Sequence, residues 1–223
     1  MNNEELLAAI KERHSVRDYL DKDIDISDLS IINPFIEEVN KESGLHIQLI
    51  TNSNATFKKF FIPYGRLNAY HFLAMVGPKS NDLEEKVGYY GEQLVLLAQQ
   101  CSLNTCWVGG TYSKRNTKVK IKKGEKLVAI IAIGYGKNFG VPHKSKRIVE
   151  VSTTNDNVPT WYEDGVKAAL LAPTALNQQK FKFTYNKNGS VSLDPGRGPY
   201  VNLDKGIVKY HFEVGANIKV NWK

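Results

Sequence analysis

The chain has 223 residues, of which 42% are hydrophobic and 24% are charged, as in a globular protein with a sizeable core. No apolar run approaches the ~20 residues of a membrane-spanning helix, and residues 1–12 are polar and acidic, unlike a signal peptide. We therefore expect no membrane partner and a cytoplasmic location. The net charge of +7 would suit nucleic acid, but the lysines are spread along the chain and no helix-turn-helix, RNP or zinc-finger pattern is present, so we expect no nucleic-acid partner.

Hydrophobic periodicity predicts two helices and a strand before residue 51. The apolar face of the first helix consists of Leu6, Leu7 and Ile10. We expect the second helix to break near Pro34 and to end at Gly44, because proline interrupts a helix and glycine commonly ends one. Residues 45–50 alternate between polar and apolar, as in a half-buried strand.

The middle of the chain predicts two strongly apolar strands and one long helix. The strands, at 69–76 and 126–135, are of the kind that is buried on both faces of a sheet. Between them, residues 83–101 have apolar side chains on most sides, which favours a helix in the middle of the structure. A shorter strand begins at residue 104, and Tyr64-Gly65-Arg66 predicts a turn.

The last third predicts two helices and a hairpin. Polar residues 150–158 indicate a connector, and a helix at 161–171 is stopped by Pro173. Alternating residues on both sides of 186–189 predict a hairpin. Residues 204–214 then form an amphipathic helix.

The sequence does not point to a catalytic side chain or a metal. Cys101 and Cys106 lack the spacing of a metal site, so we expect two free thiols in a reducing compartment. No Ser-His-Asp or paired-carboxylate pattern is present. We expect structural roles for the side chains of His14, His71 and His211.

The most informative stretch is Glu12-Arg13-His14-Ser15-Val16-Arg17-Asp18-Tyr19. In an extended chain Arg13, Ser15 and Arg17 project from one side. In a helix the two arginines still share a face, with the serine turned away. Two permanent cations then converge on one anion, and guanidinium groups bind phosphate through paired N–H donors. The alternative is a solvated surface on which the arginines pair with nearby acidic residues.

Three more stretches place polar or glycine residues after predicted elements. The first, Ala172-Pro173-Thr174-Ala175-Leu176-Asn177-Gln178-Gln179, collects a hydroxyl and amides between a helix and a strand. The second, Trp107-Val108-Gly109-Gly110, and the third, Gly134-Tyr135-Gly136, end strands. A basic loop follows at Lys144-Ser145-Lys146-Arg147. Alone, each stretch favours an ordinary turn or a solvated loop.

Together and in this order, the stretches resemble the motifs of the FMN-dependent nitroreductase family, above all its compact TM-type branch. The arginine stretch resembles R-x-S-x-R-x-[FY]. Residues 172–179 resemble A-P-S-x-x-N-x-Q-P-[WF], with Thr174 in place of serine and Lys180 in place of proline. The two strand ends resemble W-x-G-G and the G-[YF]-P/G turn that precedes a phosphate-binding basic residue. The likeness covers nearly the whole chain.

The resemblance implies an α+β fold, a nitroreductase-like three-layer α-β-α sandwich with a mostly antiparallel central sheet. In the usual member the A-P-S motif follows the arginine motif closely, and two identical chains build each flavin site. Here the second motif comes only after Trp161. The chain therefore resembles a single-chain pseudo-dimer, with residues 1–150 as a first subunit and residues 151–223 as a shortened second one. We expect one flavin per chain, with 83–101 as central helix, in a monomer or a further homodimer.

The resemblance also implies cofactor-binding residues and no catalytic side chain or metal ligand. The expected FMN-binding residues are Arg13, His14, Ser15, Arg17, Gly109, Gly110, Lys144, Lys146, Arg147, Pro173, Thr174, Ala175 and Asn177. Arg13 and the basic loop would neutralise the phosphate, and Ser15 would contact the ribityl chain or the phosphate. Arg17 would lie near N1 and O2 of the ring and stabilise charge that develops on reduction. The glycine pair would let the backbone approach the flat ring.

The implied activity is electron transfer from NADH or NADPH, through FMN, to a small nitroaromatic, quinone or related acceptor, in a ping-pong cycle. A different reading is a flavin-binding protein with little or no turnover, because a shortened second half could narrow the open face above the ring. A third is that the basic surface binds nucleic acid and the motifs are coincidental. Reduction of bound flavin by a nicotinamide separates the first two readings.

Overall fold

The computed structural model describes residues 2–53, 56–57, 61–62, 65–153 and 158–223. In these ranges the helices are α1 (Asn3–Glu12), α2 (Ile26–Ser43), α3 (Leu83–Gln100), α4 (Ile148–Val151), α5 (Thr160–Ala169) and α6 (Val201–Ala216). The strands are β1 (Gln48–Ile50), β2 (Phe61–Ile62), β3 (Gly65–Arg66), β4 (His71–Pro78), β5 (Asn104–Val108), β6 (Glu125–Gly134), β7 (Ser152–Thr153), β8 (Lys182–Tyr185) and β9 (Val191–Asp194). Tyr64 and residues 154–157 of the predicted connector lie outside the described residues. None of the helices described here is long and apolar enough to cross a bilayer.

Contacts between residues divide the chain into two compact units. We call residues 13–83 and 94–142 the sheet unit, and residues 1–12, 84–93 and 143–223 the terminal unit. The long helix α3, which was predicted within one residue at each end, contributes to both. We predicted that residues 1–150 and 151–223 correspond to the two subunits of a dimeric relative. That correspondence stays a prediction.

The sheet unit is built around a four-stranded antiparallel sheet with the strand order β1-β4-β6-β5. Ile131 of β6 lies opposite Leu73 of β4 on one side and opposite Trp107 of β5 on the other. Every residue of β4 from His71 to Gly77 is buried, as predicted for a strand that is covered on both faces. The predicted α+β class and antiparallel central sheet are confirmed.

One apolar cluster of the sheet unit anchors the stretch of residues 13–19, which we call the arginine segment. The strand residues of this cluster are Phe72, Ala74, Val76, Cys106, Val108, Ile130 and Ala132. Val16 and Tyr19 of the arginine segment belong to the same cluster, and each is 1% exposed. The apolar side chains of the segment therefore hold it against the sheet, which positions the polar ones.

Helix α2 runs without interruption through Pro34, so the predicted break is wrong. Ile32, Ile36 and Val39 are all buried, and their spacing places them on one helical face that continues past the proline. Burial of this face offsets the roughly 3 kcal/mol that an interior proline costs. Gly44, at φ 71°, ends the helix as predicted.

The side chain of Asn2 caps helix α1. The Asn2 side chain accepts the Glu5 backbone N–H at 2.8 Å, which is an N-cap contact. The buried side chains of this helix are Leu6, Ala9 and Ile10. Leu7, predicted to be buried, is half-exposed, because the buried face follows the three- and four-residue spacing through Ala9 instead.

The terminal unit combines the predicted hairpin with helices α5 and α6. Strands β8 and β9 pair antiparallel, with Phe183 opposite Leu193, and β7 joins in parallel through Ser152. The ring of Phe212 on α6 packs against Phe183, at 4.7 Å between centroids, and against Tyr162 of α5, at 5.7 Å. An aromatic core thus joins the hairpin to both helices.

Helices α3 and α6 approach each other through glycine. A Cβ atom at Gly206 would overlap the Glu85 carbonyl and lie 2.6 Å from the Tyr89 backbone nitrogen. A Cβ atom at Gly88 would overlap the Leu203 carbonyl. Since side chains are excluded at both positions, the two helices pack backbone against backbone.

Candidate functional site

The arginine segment is extended and runs along β5. Ser15 forms a parallel bridge with Thr105, and the Val16 N–H donates to the Thr105 carbonyl at 3.0 Å. Further along, Tyr19 forms an antiparallel bridge with Gly136. Of the two predicted conformations, the extended one is therefore observed, and backbone pairing with the sheet fixes it.

The predicted polar groups of the arginine segment gather around Cys106. Burial raises the pKa of the Cys106 thiol, while the charges of Arg17 and Arg13 and a hydrogen bond with the Ser15 hydroxyl act in the opposite direction. Arg13 is 4% exposed, and Arg17 and Ser15 are half-buried. Two cations and a hydroxyl thus meet in surroundings of low dielectric constant, where they attract an anion more strongly than in water.

Tyr19 adds a polar group that sequence analysis did not count. Its hydroxyl is buried and makes no hydrogen bond to any residue the structure describes. Burial raises the pKa of Tyr19 far above its ordinary value, Cys106 acts in the same direction, and Arg17 opposes them. Buried hydroxyl groups are normally hydrogen-bonded, so this one is available to a ligand or a water molecule. The available signal was the tyrosine itself, since phenylalanine would serve the packing alone.

Two glycines after β6 support the arginine segment. A Cβ atom at Gly136 would lie 2.5 Å from the Asn138 carbonyl and 2.9 Å from Val16. One at Gly140, which has φ +72°, would lie 2.8 Å from the Cβ of His14. The predicted strand-end motif is therefore a support beneath the segment, and sequence analysis missed the second glycine.

The predicted glycine pair lies further along β5. Gly109 is half-buried and Gly110 is exposed, directly after the last residue of the strand. Four residues separate Gly109 from Thr105, which corresponds to about 13 Å of strand. The pair is therefore on the same strand as the Ser15 bridge but is not next to it.

In the terminal unit the structure brings the predicted turn and the basic loop together. The side-chain amides of Asn177 and Gln179 both donate to the Lys144 carbonyl at 2.9 Å. Gln179 Oε1 accepts the Lys146 backbone N–H at 2.9 Å, and the Gln179 carbonyl accepts Lys146 Nζ at 2.6 Å. The Thr174 hydroxyl accepts the Gln179 N–H at 3.2 Å. Gln179, 2% exposed, is thus the centre of this network, although it was not among the predicted site residues.

The three basic residues differ in what they already bind. The Lys146 ammonium group donates to the turn, as above, and Arg147 Nε pairs with Glu150 at 3.0 Å. The Lys144 side chain is exposed and has no hydrogen bond or ion pair within the described part of the chain. Lys144 is therefore the basic residue of the loop that is most available to an anion.

Asp204 of α6 is a second group that sequence analysis missed. Its carboxylate is 6% exposed and accepts the Ala175 N–H at 2.9 Å and Gln178 Nε2 at 2.8 Å. Burial raises the pKa of Asp204 to about 6, while these two hydrogen bonds act in the opposite direction. In the sequence, an aspartate in the first turn of a helix is an ordinary feature, so only the fold reveals its partners. Pro173 and Ala175 are half-buried in the same turn.

Histidines of both units make hydrogen bonds that suit their predicted structural roles. His71 Nε2 lies 3.0 Å from the Lys22 carbonyl, and His211 Nε2 lies 2.9 Å from Glu92 Oε1 in a pair with no exposed surface. In the described ranges, no group of three or more His, Cys, Asp or Glu side chains could hold a metal ion.

Comparison with known protein families shows whether the motifs reflect a family relationship or a coincidence. The model of the family described as "Putative TM nitroreductase" matches residues 5–216. The chain belongs to this nitroreductase family. The family predicted from the four motifs is confirmed. A search of curated proteins found no match.

Solved structures of nitroreductase-family proteins have the same fold as this chain. A structure described as a putative nitroreductase from Thermotoga maritima MSB8 superposes with a TM-score of 0.65 at 21% identity, over 96% of this chain and 85% of its own. A putative nitroreductase from Desulfovibrio desulfuricans, in complex with FMN, gives 0.53 at 16% identity, over 69% and 98% of the two chains. A nitroreductase family protein from Streptococcus pneumoniae TIGR4 gives 0.53 at 14% identity, over 67% and 99%. At these identities the likeness establishes the fold.

Proposed function

We propose that this nitroreductase is an FMN-dependent oxidoreductase, which takes electrons from NADH or NADPH and passes them to a nitroaromatic, quinone or related small acceptor. Family membership supports the class of reaction, and the complex of the Desulfovibrio protein with FMN suggests the cofactor. The observation on this chain that carries the proposal is the buried cluster of cations and hydroxyl groups at the arginine segment. Bound FMN would supply the two-electron chemistry, and the protein supplies position and electrostatics.

The residues of the sheet unit suit the anionic parts of FMN. Arg13 is a permanent cation at 4% exposure, and its attraction for a phosphate is strengthened by low dielectric surroundings. Ser15 offers a hydroxyl beside it. The buried Tyr19 hydroxyl, which has no hydrogen-bond partner among the described residues, offers a further donor. We assign Arg13 and Ser15 to the phosphate and ribityl chain. We assign Arg17 to the pyrimidine edge of the ring, where it would stabilise negative charge.

The residues of the terminal unit are proposed as further FMN contacts. Thr174 and Asn177 stand in a turn whose conformation is fixed by hydrogen bonds, which is what precise ligand placement requires. Lys144 is our choice among the basic residues for the phosphate, since Lys146 and Arg147 already have partners in the chain. Gly109 and Gly110 are proposed to border the ring.

The cofactor assignment is tested by the affinity of the purified protein for FMN, measured by quenching of flavin fluorescence. Replacing Arg13→Gln removes a charged hydrogen-bond donor, so we expect the dissociation constant to rise by about ten- to a hundredfold. The matched control is Lys11→Gln, which removes one positive charge from an exposed position and should change the constant by less than about twofold. Equal affinity of wild type and Arg13→Gln would contradict the role of the arginine segment.

The redox assignment is tested by adding NADH and NADPH without oxygen to the FMN-loaded protein. Loss of the visible flavin bands with either nicotinamide, followed by their return on adding a quinone, is the expected result. Flavin bands that persist with both nicotinamides would contradict the proposed oxidoreductase activity. They would favour the alternative, a flavin-binding protein with little or no turnover.

A further inference from the structure

The backbone of the turn at residues 174–179 adopts conformations that residues other than glycine usually avoid. Leu176, Asn177 and Gln179 have φ angles of 54°, 53° and 42°, in the left-handed region where a Cβ atom is crowded. Leu176 is 64% exposed, so burial of its side chain does not hold it there. Such backbone persists only where surrounding contacts determine it.

Asp204 supplies contacts of this kind from outside the turn. One carboxylate oxygen accepts the Ala175 N–H at 2.9 Å and the other accepts Gln178 Nε2 at 2.8 Å, so both oxygens bind the same turn. The carboxylate stands in the first turn of α6, two residues before Gly206, where the helix packs on the backbone of α3. The acceptor is therefore attached to a part of the terminal unit that has little freedom to move.

A buried carboxylate costs solvation free energy, and the fold does not require one at this position. An apolar or amide side chain could pack in the first turn of α6, but only an ionised carboxylate accepts two N–H groups without presenting a donor of its own. The two hydrogen bonds from the turn offset part of the cost of burying the ionised Asp204 carboxylate.

We propose that Asp204 is a positioning residue for the FMN-binding turn: its ionised carboxylate keeps residues 174–179 in the ligand-binding conformation, and its protonation loosens them. The effect on FMN rests on the function proposed above. The hold on the turn does not, and it can be measured in the flavin-free protein.

Protonation acts through the two hydrogen bonds. A protonated carboxyl group carries hydrogen on one oxygen and loses acceptor capacity there. Burial raises the pKa of Asp204 to about 6, and the two hydrogen bonds oppose that rise because they favour the ionised form. While the carboxyl group stays buried on α6, the two bonds favour its ionised form, so by linkage taking up the proton must weaken them. The loosening is therefore centred at mildly acidic pH.

Several charged groups on the elements around Asp204 have other partners. Their pairs are Glu85 with Lys205 and Lys209, Lys180 with the Arg197 carbonyl, and Lys146 with the Gln179 carbonyl. The pKa of Asp204 has causes in burial and in its two hydrogen bonds, with no charged neighbour among them. The titration of the turn is accordingly expected to follow Asp204 itself.

The first experiment measures amide hydrogen exchange in the flavin-free full chain at about pH 5 and about pH 7.5, corrected for the intrinsic pH dependence of exchange. We expect a peptide that covers 174–179 to be protected about tenfold more at the higher pH in the wild type. In Asp204→Asn, where one acceptor becomes a donor, we expect weak protection at both values. The control Asp164→Asn changes a half-exposed aspartate of α5 that pairs with Lys167, and should behave as the wild type.

The hairpin formed by β8 and β9 is the internal reference, because its protection should stay constant if the fold is intact. Equal protection of the wild-type turn at both pH values would overturn the proposal, and this result does not depend on whether Asp204→Asn folds. Protection of the turn in a folded Asp204→Asn equal to the wild type would overturn it as well.

The second experiment measures binding of riboflavin, which lacks the phosphate whose own protonation would confuse the pH profile. Wild type should bind about tenfold more weakly at about pH 5 than at about pH 7.5, whereas Asp204→Asn should bind weakly at both. If neither riboflavin nor FMN binds at either pH while the exchange results hold, the proposed function fails and the positioning role stands. If flavin binds and both binding and exchange are independent of pH, the positioning role fails and the function stands.

Discussion

The arginine segment and the turn at 174–179 are held in place by different kinds of contact. Backbone bridges at Ser15 and Tyr19 attach the segment to the sheet, and its apolar side chains are buried among strand residues. The turn has no such pairing with any strand in the described ranges. Its conformation depends on the side chains of Gln179 and Asp204. The segment is therefore as stable as the sheet, whereas the turn is as stable as a few side-chain hydrogen bonds.

This difference teaches where the two regions are vulnerable. Acidification, or replacement of one polar side chain that binds the turn, should loosen the turn at 174–179 and leave the arginine segment unaffected. Conversely, a bulky group packed against the arginine segment should destabilise the sheet unit. The turn belongs to the terminal unit. Variants that act on one region alone can separate the two.

The largest loss of stability is expected from Gly206→Ala, which alters the packing of α6, the helix that carries Asp204. A methyl group at this position would overlap the Glu85 carbonyl, and backbone cannot move aside as a flexible side chain can. We expect a loss of about 3 kcal/mol or more in the free energy of unfolding, measured by urea denaturation followed by circular dichroism. The control Asn202→Ala, at an exposed position of the same helix, should cost less than ~0.5 kcal/mol. Equal stability of Gly206→Ala and the wild type would show that the helices do not pack backbone against backbone.

The next effect concerns the pH dependence of stability. The folded chain holds the pKa of Asp204 near 6, against 3.8 ordinarily, so it keeps this proton to higher pH than the unfolded chain does. The stability of the wild type relative to Asp204→Asn should therefore fall as pH rises from about 4 to about 6, by ~3 kcal/mol at most. Urea denaturation of both proteins across this range checks the sign. A relative stability that rises with pH would show that the pKa of Asp204 is lowered instead. Acid thus stabilises the fold through this group while it loosens the turn.

A smaller effect is expected when the support beneath the arginine segment is altered. In Gly136→Ala the new methyl group would meet the Asn138 carbonyl and Val16, which should cost about 1–3 kcal/mol. The buried Cys106 thiol reports on the damage, because iodoacetamide reaches it only when the sheet unit opens. Alkylation of Cys106, measured by mass spectrometry, should accelerate in Gly136→Ala and stay unchanged in Phe139→Ala, whose side chain is 83% exposed. Unchanged alkylation in Gly136→Ala would mean that the segment does not rest on this glycine.

Sequence patterns predicted the elements that depend on local residues. Strand β4 and helix α3 lie close to their predicted limits. In both, the residues that the apolar pattern marks are the ones that the fold buries. The predicted break at Pro34 was wrong because the apolar face of α2 is buried on both sides of the proline. That burial is an effect of tertiary packing, which a short window of sequence does not contain.

The residues of the candidate site that stand close together in the sequence could be predicted from it. Arg13, Ser15 and Arg17 could be named because they stand together in the chain, and the structure gathers them around Cys106. Gln179 and Asp204 could not be assigned their roles, because their partners are distant in sequence and their importance comes from burial. The same holds for Gly140, which is set by its approach to His14.

The bridge between Ser15 and Thr105 also bears on aggregation. Strand β5 lies at one edge of the sheet, and an uncovered edge is a template for pairing with another molecule. The arginine segment occupies that edge, and the Gln48 side chain exchanges two hydrogen bonds with the Lys120 backbone beside the opposite edge strand. The segment proposed to hold the cofactor therefore also keeps neighbouring molecules from adding strands. Variants that detach it should precipitate as well as lose flavin.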